Sequence, residues 1–437
     1  MVQAPAIQAA LNAFRIPDLR KKLLFTIGLL VVFRVAAHVP VPNVNHAALT
    51  TVLNHNNLLQ MLNVFSGGSL QTFSIVALGV YPYITASIVM QLLVPIIPSL
   101  MELQKEGEYG RNKINQYTRI LTVPLALIQA YGQMLALNNF TNVKVFSNFG
   151  LFGASTWFST LTILISLTAG TIFAMWLGEL ITENGIGNGI SLIIFAGIVA
   201  RLPVLLGQQF TAGNALFLVV MGIVAAGVIW AIVFMSEGQR RIPVQYAKRI
   251  RGGRMYQGQS THIPLRVNSA GMIPLIFAAS IVILPGTIST YFYGAQQAWL
   301  RNLAHWVFNV MTSTNGVYWF IYFWLVVGFT YFYTAVTFQQ QNLPETLQKN
   351  GGFIPGYRPG KMTERYLNKV LTRITLAGAF FLAAIAVLPF FIQLVTKIQT
   401  FTFSSTAVLI VVGVAIDTMK QLEAQLMMRQ YEGFINR

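Results

Sequence analysis

The chain has 437 residues, of which 55% are hydrophobic and only 9% are charged, and its formal net charge is +17. About a quarter of the residues in a soluble domain are charged, so this composition excludes an ordinary soluble protein and indicates a membrane protein. The chain has no Cys, which excludes disulfides, thiolate chemistry and cysteine-based metal sites.

Apolar runs long enough to cross a membrane recur along the whole chain. A helix needs about 20 mostly apolar residues to cross the roughly 30 Å hydrocarbon core. Ten stretches meet this requirement, namely residues 23–39, 75–100, 120–137, 158–180, 190–206, 216–235, 270–288, 317–338, 371–395 and 401–419. The sequence therefore predicts an all-α membrane protein with ten transmembrane helices.

Lysine and arginine are concentrated on alternate loops between these stretches. The N-terminus, residues 105–119, 240–266 and 349–373, and the C-terminal tail hold 24 of the 29 basic residues. Cytoplasmic loops carry the excess of basic residues in membrane proteins. Both termini are therefore predicted to be cytoplasmic. Topology accounts for most of the charge, although basic loops also attract anionic lipid or nucleic acid.

The first long loop on the predicted outer face is unusual. Residues 58–73 mix large apolar residues with Asn, Ser, Gln and Gly. This mixture is too polar to face lipid and too apolar for an ordinary solvated loop. Two interpretations remain open: a re-entrant element buried in protein, and a surface helix packed on the outer face.

Two loops on the predicted inner face are much longer than topology requires. Residues 236–269 and 339–370 each exceed 30 residues and together carry 12 basic residues. Long loops are usually functional, so we interpret this pair as a docking platform. The first loop alternates polar and apolar residues around glycines, which predicts a short hairpin.

Ten spans divide into two sets of five, and an odd number per half makes the second half enter from the opposite side. The predicted halves are residues 1–207 and 208–437. An inverted repeat with a central site at its interface is therefore possible.

Nothing in the sequence predicts catalysis or a bound cofactor. Residues 351–361 fail the phosphate-loop pattern, since Pro355 replaces the first Gly and Met362 replaces Ser or Thr. Residues 185–189 fail the dinucleotide pattern and indicate a tight turn. The five His are scattered. The protein is not predicted to be an enzyme.

A secondary transporter for a small solute is the main rival interpretation. Such proteins need polar or ionisable groups in mid-membrane, but the predicted spans hold few: Arg34 lies inside the first span, and Glu179 and Asp417 lie near the inner ends of theirs. Arg34 is expected to snorkel or to pair structurally. A third possibility, a structural receptor for ribosomes, explains the long loops but not residues 58–73.

Five blocks in chain order closely resemble the SecY family, the channel subunits of the bacterial protein-conducting translocon. They are residues 79–93, 185–197, 238–249, 259–274 and 351–360. The resemblance implies ten helices in two inverted five-helix halves that close like a clamshell around a pore. It implies translocation of unfolded secretory polypeptides and lateral release of membrane segments into lipid.

Position by position, the resemblance also implies site residues. The pore ring would be Val80, Ile84, Ile190, Ile194, Ile276 and Ile410, with Val80 replacing the usual Ile. The plug would be about residues 58–72, including Leu62, Phe65, Gly67 and Gly68. The lateral gate would include Thr85, Ser87, Gln91 and Asn268, although polar residues in a span are more often packing contacts between helices.

The resemblance implies partners as well. Arg240, Arg241, Lys248, Arg249 and Arg358 would meet the SecA motor or the ribosome, including its RNA. SecE and SecG subunits, signal peptides, nascent chains and membrane lipids would be further partners. The expected location is the bacterial cytoplasmic (inner) membrane, and no cofactor is expected.

Overall fold

The computed structural model describes residues 16–55, 63, 66–139, 145–146, 149–150, 156–211, 215–246, 249–251, 254–256, 260–312, 315–341, 343–396 and 401–435. Its helices in the first half are α1 (Pro17–Ala36), α2 (His46–His55), α3 (Tyr81–Leu93), α4 (Pro98–Lys105), α5 (Glu108–Asn139), α6 (Trp157–Asn184) and α7 (Gly189–Thr211). Those in the second half are α8 (Ala215–Glu237), α9 (Ile273–Tyr291), α10 (Ala298–Val310), α11 (Gly316–Gln341), α12 (Leu343–Lys349), α13 (Lys361–Thr396) and α14 (Phe401–Ile435). The strands are β1 (Gln239–Tyr246), β2 (Arg249–Arg251), β3 (Arg254–Tyr256), β4 (Ser260–Arg266) and β5 (Gly352–Phe353).

Each of the ten predicted stretches falls mainly on a helix, and the fold is all-α apart from small sheets. By length and apolar composition alone, five helices among the described residues could cross a membrane, or six if the bent pair α3–α4 counts as one. Two further apolar segments, Gly189–Arg201 and Gly222–Glu237, are shorter than this criterion requires. The count of ten spans stays a prediction.

The second predicted span is wrong at both ends. A single helix was expected over residues 75–100, but α3 covers only Tyr81–Leu93, and α4 is bent from it by 98°. Proline explains both limits. Pro82 lies in the first turn of α3, and Pro98 lies in the first turn of α4. Proline favours the start of a helix and disfavours helical geometry in the residue before it.

The two long basic loops fold together into one unit. β1 pairs antiparallel with β4 in the first loop, as the predicted hairpin requires, and with β5 from the second loop. A separate apolar cluster joins Ile242 and Val244 of β1 to Leu347 of α12 and Leu367 of α13. We call the sheet β4–β1–β5 with this cluster the loop platform.

The turn predicted at residues 185–189 is confirmed, because α6 ends at Asn184 and α7 begins at Gly189. The largest apolar cluster draws on α1, α3, α6, α7, α9, α11, α13 and α14. Helix α9 contacts α3, α5 and α11, while α7 contacts α14. Helices from the two predicted halves therefore meet around one central cluster.

Candidate functional site

The six aliphatic residues predicted to form the pore ring converge on this central cluster. They are Val80 and Ile84 at the start of α3, Ile190 and Ile194 on α7, Ile276 on α9 and Ile410 on α14. Ile190 packs against the cluster, and each of the other five is at most 5% exposed. Branched aliphatic side chains at a constriction exclude water and ions without offering them a ligand.

An open cavity of about 380 Å³ adjoins the ring. Its lining includes Ile276 of the ring together with charged side chains of Arg266, Asp417 and Lys420. The Nζ atom of Lys420 is 3.0 Å from Glu237 Oε1, so this cation already has an anionic partner. Because Arg266 ends β4, the cavity lies on the side of the ring that faces the loop platform.

The described part of the predicted plug comprises Asn63 and residues 66–72, and residues 66–72 form turns against α7 on the other side of the ring. A Cβ atom added to Gly67 would lie 2.9 Å from the Cα atom of Gly197, so the two backbones touch where neither residue has a side chain. Gly67 has φ +70°, a conformation that glycine adopts without strain. Gly197 follows Ile194 by three residues, or about 4.5 Å along the helix axis.

These contacts give α7 a simple order from one end to the other. Asn188, the residue before α7, and Ser191 line the cavity, Ile194 belongs to the ring, and Gly197 meets the plug. Ser66, Ser69 and Leu70 are at most 2% exposed. Apart from the exposed Gln71, the described residues of the segment are buried or half-buried in protein, which favours the re-entrant interpretation over a surface helix.

Two arginines hold the plug by hydrogen bonds. Arg34 donates from Nη1 to the carbonyl oxygen of Gly67 at 2.8 Å, and Arg201 donates from Nη2 to Gln71 Oε1 at 3.3 Å. Among the described residues, no carboxylate lies within ion-pair distance of either guanidinium. The expected structural pairing of Arg34 is thus a contact to the plug backbone.

The end of the plug is fixed to the outer part of the first half. Phe73 is fully buried in a second apolar cluster with Phe146, and its carbonyl oxygen accepts a hydrogen bond from the Val41 amide at 3.0 Å. The Thr72 hydroxyl donates to the carbonyl oxygen of Ala37 at 3.1 Å. The predicted plug residues Leu62 and Phe65 lie outside the described residues.

Helices α3 and α5 of the first half meet α9 of the second half along a seam, and a polar contact crosses it. The Tyr81 hydroxyl on α3 donates to the carbonyl oxygen of Ser280 on α9 at 3.0 Å. Further along, the backbone of Gly132 on α5 contacts the ring of Tyr291 on α9 so closely that a side chain has no room. The seam is therefore closed in this structure.

A small cavity of about 20 Å³ lies within the seam. It is lined by Ala77, Leu78, Tyr81, Gln129, Gln133 and Thr287. The Oε1 atoms of Gln129 and Gln133 are buried there without a hydrogen-bond partner among the described residues. Unpaired buried oxygens cost free energy, so this part of the seam is less stable than its apolar surroundings.

The four predicted gate residues make few contacts across the seam. Gln91 donates to Ser87 at 3.1 Å and Thr85 donates to the Tyr81 carbonyl at 3.0 Å, both within α3. Asn268 lies in the turn before α9, and its Oδ1 is buried without a partner among the described residues. Its neighbour Val267 packs against Gly378 of α13.

The predicted docking arginines lie on the loop platform. Arg240 and Arg241 are exposed on β1, and Arg358 is exposed in the turn between β5 and α13. The backbone at Arg358 is held by the Thr363 hydroxyl, which donates to its carbonyl oxygen at 2.9 Å. Arg249 lies on β2, and Lys248 lies outside the described residues.

The sequence analysis missed Tyr81, Gly197 and Arg201. A glycine inside a helix costs about 1 kcal/mol relative to alanine and so indicates a packing reason, which was a usable signal for Gly197. A tyrosine beside Pro82 at the start of a span was a weaker one. Nothing local signals Arg201, because its contact with Gln71 joins segments 130 residues apart.

Comparisons with known proteins agree with this architecture. The SecY family model matches residues 74–419. The protein translocase subunit SecY of Halalkalibacterium halodurans is 45% identical over 436 residues, covering 97% of this chain and 98% of that protein.

Two solved structures share the fold at 18% identity, and each match covers 92% of this chain and 91% of the other. One is a SecY protein whose plug domain stabilises the closed channel and maintains a membrane seal, with a TM-score of 0.63. The other is Sec61 in the canine ribosome–channel complex from the endoplasmic reticulum, with a TM-score of 0.61. From the matched family model and the extent of the similarity, the chain belongs to the SecY family of protein translocase subunits.

Proposed function

We propose that unfolded polypeptides cross the membrane between residues 1–207 and 208–437 of this chain, through the ring of six aliphatic residues. The observation that carries the proposal is the order along α7: a cavity facing the loop platform, then the ring, then the plug. A ring that offers no ligand yields around a moving chain and closes behind it.

The plug, residues 58–72, seals the resting pore in this proposal. Around Gly67 it is fastened by one close backbone contact with α7 and by hydrogen bonds from Arg34 and Arg201, while its end is held by Leu70 in the second apolar cluster and by the Thr72 hydroxyl bond. A hydrogen bond to a charged group contributes about 1.5–3 kcal/mol. The plug can therefore leave without the loss of a large apolar interface on α7.

Membrane segments leave sideways through the seam between α3 and α5 on one side and α9 and α11 on the other. The seam is held by the Tyr81 contact and weakened by the buried oxygens of Gln129 and Gln133. A signal helix would replace these contacts by burying apolar surface, at about 25 cal/mol per Å². Thr85, Ser87, Gln91 and Asn268 remain proposed gate residues.

The loop platform docks the machines that supply energy, either the SecA motor or the ribosome with its RNA. Arg240, Arg241, Lys248, Arg249 and Arg358 are the proposed contacts, because an arginine fork suits phosphate and carboxylate groups. The similarity to a channel seen on a ribosome supports the ribosome as one partner. SecE and SecG are the proposed companion subunits, and the proposed location is the bacterial inner membrane with both termini in the cytoplasm.

Site-specific crosslinking tests the path. A photoreactive residue replaces Ile84 or Ile276, and a secretory precursor is stalled during export. Both positions are expected to crosslink to the precursor. Ile165 on α6, which is 55% exposed on the outside of the bundle, is the matched control and is not expected to crosslink. Absence of crosslinks at both ring positions would contradict the proposal that the polypeptide passes through the ring. The secondary-transporter alternative has no support within a family of translocase subunits.

A further inference from the structure

Helix α10 (Ala298–Val310) has two apolar faces, and one of them packs on the rest of the chain. Ala304 is 4% exposed, and α10 contacts α9. Just beyond the end of α9, the ring of Tyr293 lies 3.9 Å from that of His305 and 5.6 Å from that of Phe308. This face ties α10 to the end of α9.

The second apolar face is exposed. Trp299, Leu303 and Trp306 are 67%, 52% and 65% exposed, and their spacing of four and then three residues places them on one side of the helix. A monomeric soluble surface rarely presents two neighbouring tryptophans to water, and such patches mark an interaction site.

The remaining face and the position of α10 identify what covers the patch. Arg301, Asn302 and Asn309 are exposed and polar, and residues 238–344 contain no Asp or Glu. The helix lies between α9 and α11, both long and apolar enough to cross a membrane. Tryptophan is enriched at the membrane–water interface, and an amphipathic helix with a basic polar face lies in the interfacial plane.

We propose that α10 lies in the membrane interface on the side opposite the loop platform, with Trp299, Leu303 and Trp306 in lipid and Arg301 at the headgroup phosphates. The helix thereby anchors the outer end of α9, one wall of the seam, to the bilayer. The lipid contact stands independently of the proposed function, whereas the anchoring of the gate rests on it.

Fluorescence quenching tests the lipid contact in the full translocase reconstituted into phosphatidylcholine vesicles. Six of the seven Trp are replaced by Phe, leaving Trp306. Lipids brominated near the headgroup end of the acyl chain are expected to quench it more than lipids brominated deeper, and aqueous iodide is expected to quench it weakly. Trp324, 51% exposed on α11, is the lipid-facing control, and Trp319, 2% exposed, is the buried control. Quenching by iodide and not by brominated lipid means that the patch faces water or a soluble partner, which overturns the proposal.

A second measurement tests the anchoring. Leu78, in the turn before α3, and Thr287, on α9, line the same small cavity, and the chain has no Cys of its own. Disulfide yield between Leu78→Cys and Thr287→Cys therefore reports seam closure. Combined Trp299→Ser and Trp306→Ser is expected to lower this yield, while Trp324→Ser leaves it unchanged. An unchanged yield in the double variant overturns the anchoring, even where lipid quenching is observed.

Discussion

The loop platform and the part of the plug that meets α7 are held in opposite ways. The platform has a sheet that joins both long loops and an apolar cluster of its own, including Val244, Leu265 and Leu367. Around Gly67 the plug meets α7 through a glycine–glycine contact and is held by two arginine hydrogen bonds, whereas Leu70, near its end, joins the second apolar cluster. An apolar cluster resists displacement because each buried aliphatic side chain contributes about 1.5–3 kcal/mol, whereas a few polar contacts can be exchanged for others.

This difference separates a part built to stay in place from parts built to move. The seam resembles the plug, since one hydroxyl contact crosses it near unpaired buried oxygens. In the proposed mechanism, the motor or ribosome binds the platform, which keeps its structure, while the plug and the seam open. Substitutions on the platform should therefore affect partner action, and substitutions at the plug and seam should affect the closed state.

The largest effect is expected for Arg358→Glu on the platform. The residue is exposed in a turn that the Thr363 hydroxyl holds, so the reversed charge removes a partner contact without unfolding the channel. Motor-driven export into inverted membrane vesicles should be abolished, while the variant itself still inserts. Arg365→Glu, an exposed neighbour on α13, is the matched control. Normal export by the Arg358 variant would contradict the docking role.

The next effect is expected at the glycine contact of the plug. Gly197→Val places a side chain where the backbone of Gly67 lies, and the plug cannot return to its closed position. Ion conductance of resting channels in planar bilayers should rise to a persistent leak. Gly28→Val on α1, where an added Cβ meets nothing within 4 Å, should conduct like the parent protein. A tight Gly197→Val channel would argue that this contact does not hold the plug.

A smaller effect is expected for Arg34→Gln. The substitution removes the charge-assisted hydrogen bond to the Gly67 carbonyl, which contributes about 1.5–3 kcal/mol, so the fraction of open channels should rise at least about tenfold. Export of a precursor with a defective signal peptide measures this fraction. The fraction of open channels should rise less for Arg201→Gln, because the hydrogen bond from Arg201 to Gln71 is longer, at 3.3 Å. The reverse ranking would be inconsistent with the proposed geometry.

The smallest effect is expected for Tyr81→Phe at the seam. Loss of the hydroxyl that donates to the Ser280 carbonyl should cost about 1 kcal/mol, or about a fivefold easier opening. Less hydrophobic signal helices should then crosslink to lipid during insertion. Tyr83→Phe, two residues along α3 and half-buried, is the matched control. Equal crosslinking of signal helices to lipid in the two variants would contradict a role for the Tyr81 hydroxyl in closing the seam.

The apolar helices and the turn at residues 185–189 could be predicted from the sequence, because the length of an apolar run indicates a helix that can span a membrane and a cluster of glycines indicates a turn. The break after α3 was missed, although Pro95 and Pro98 signalled it, because apolar composition continues across the bend. The contacts of Gly67 with Gly197 and of Tyr81 with Ser280 could not be predicted from pattern. Each joins segments more than a hundred residues apart, and no local pattern in the sequence pairs the two partners.

Ion flux during translocation tests the central claim most directly, namely that the aliphatic ring seals the pore around a moving chain. In the proposed mechanism a stalled precursor displaces the plug in proteoliposomes, so the ring alone would maintain the barrier. The double variant Ile84→Ser and Ile276→Ser lets water into the ring, so its stalled channels should leak ions. The parent protein should not leak. Neither should the control double variant Ile165→Ser and Leu376→Ser, whose positions are exposed on α6 and α13. Stalled Ile84→Ser and Ile276→Ser channels that remain as tight as the parent would contradict the account.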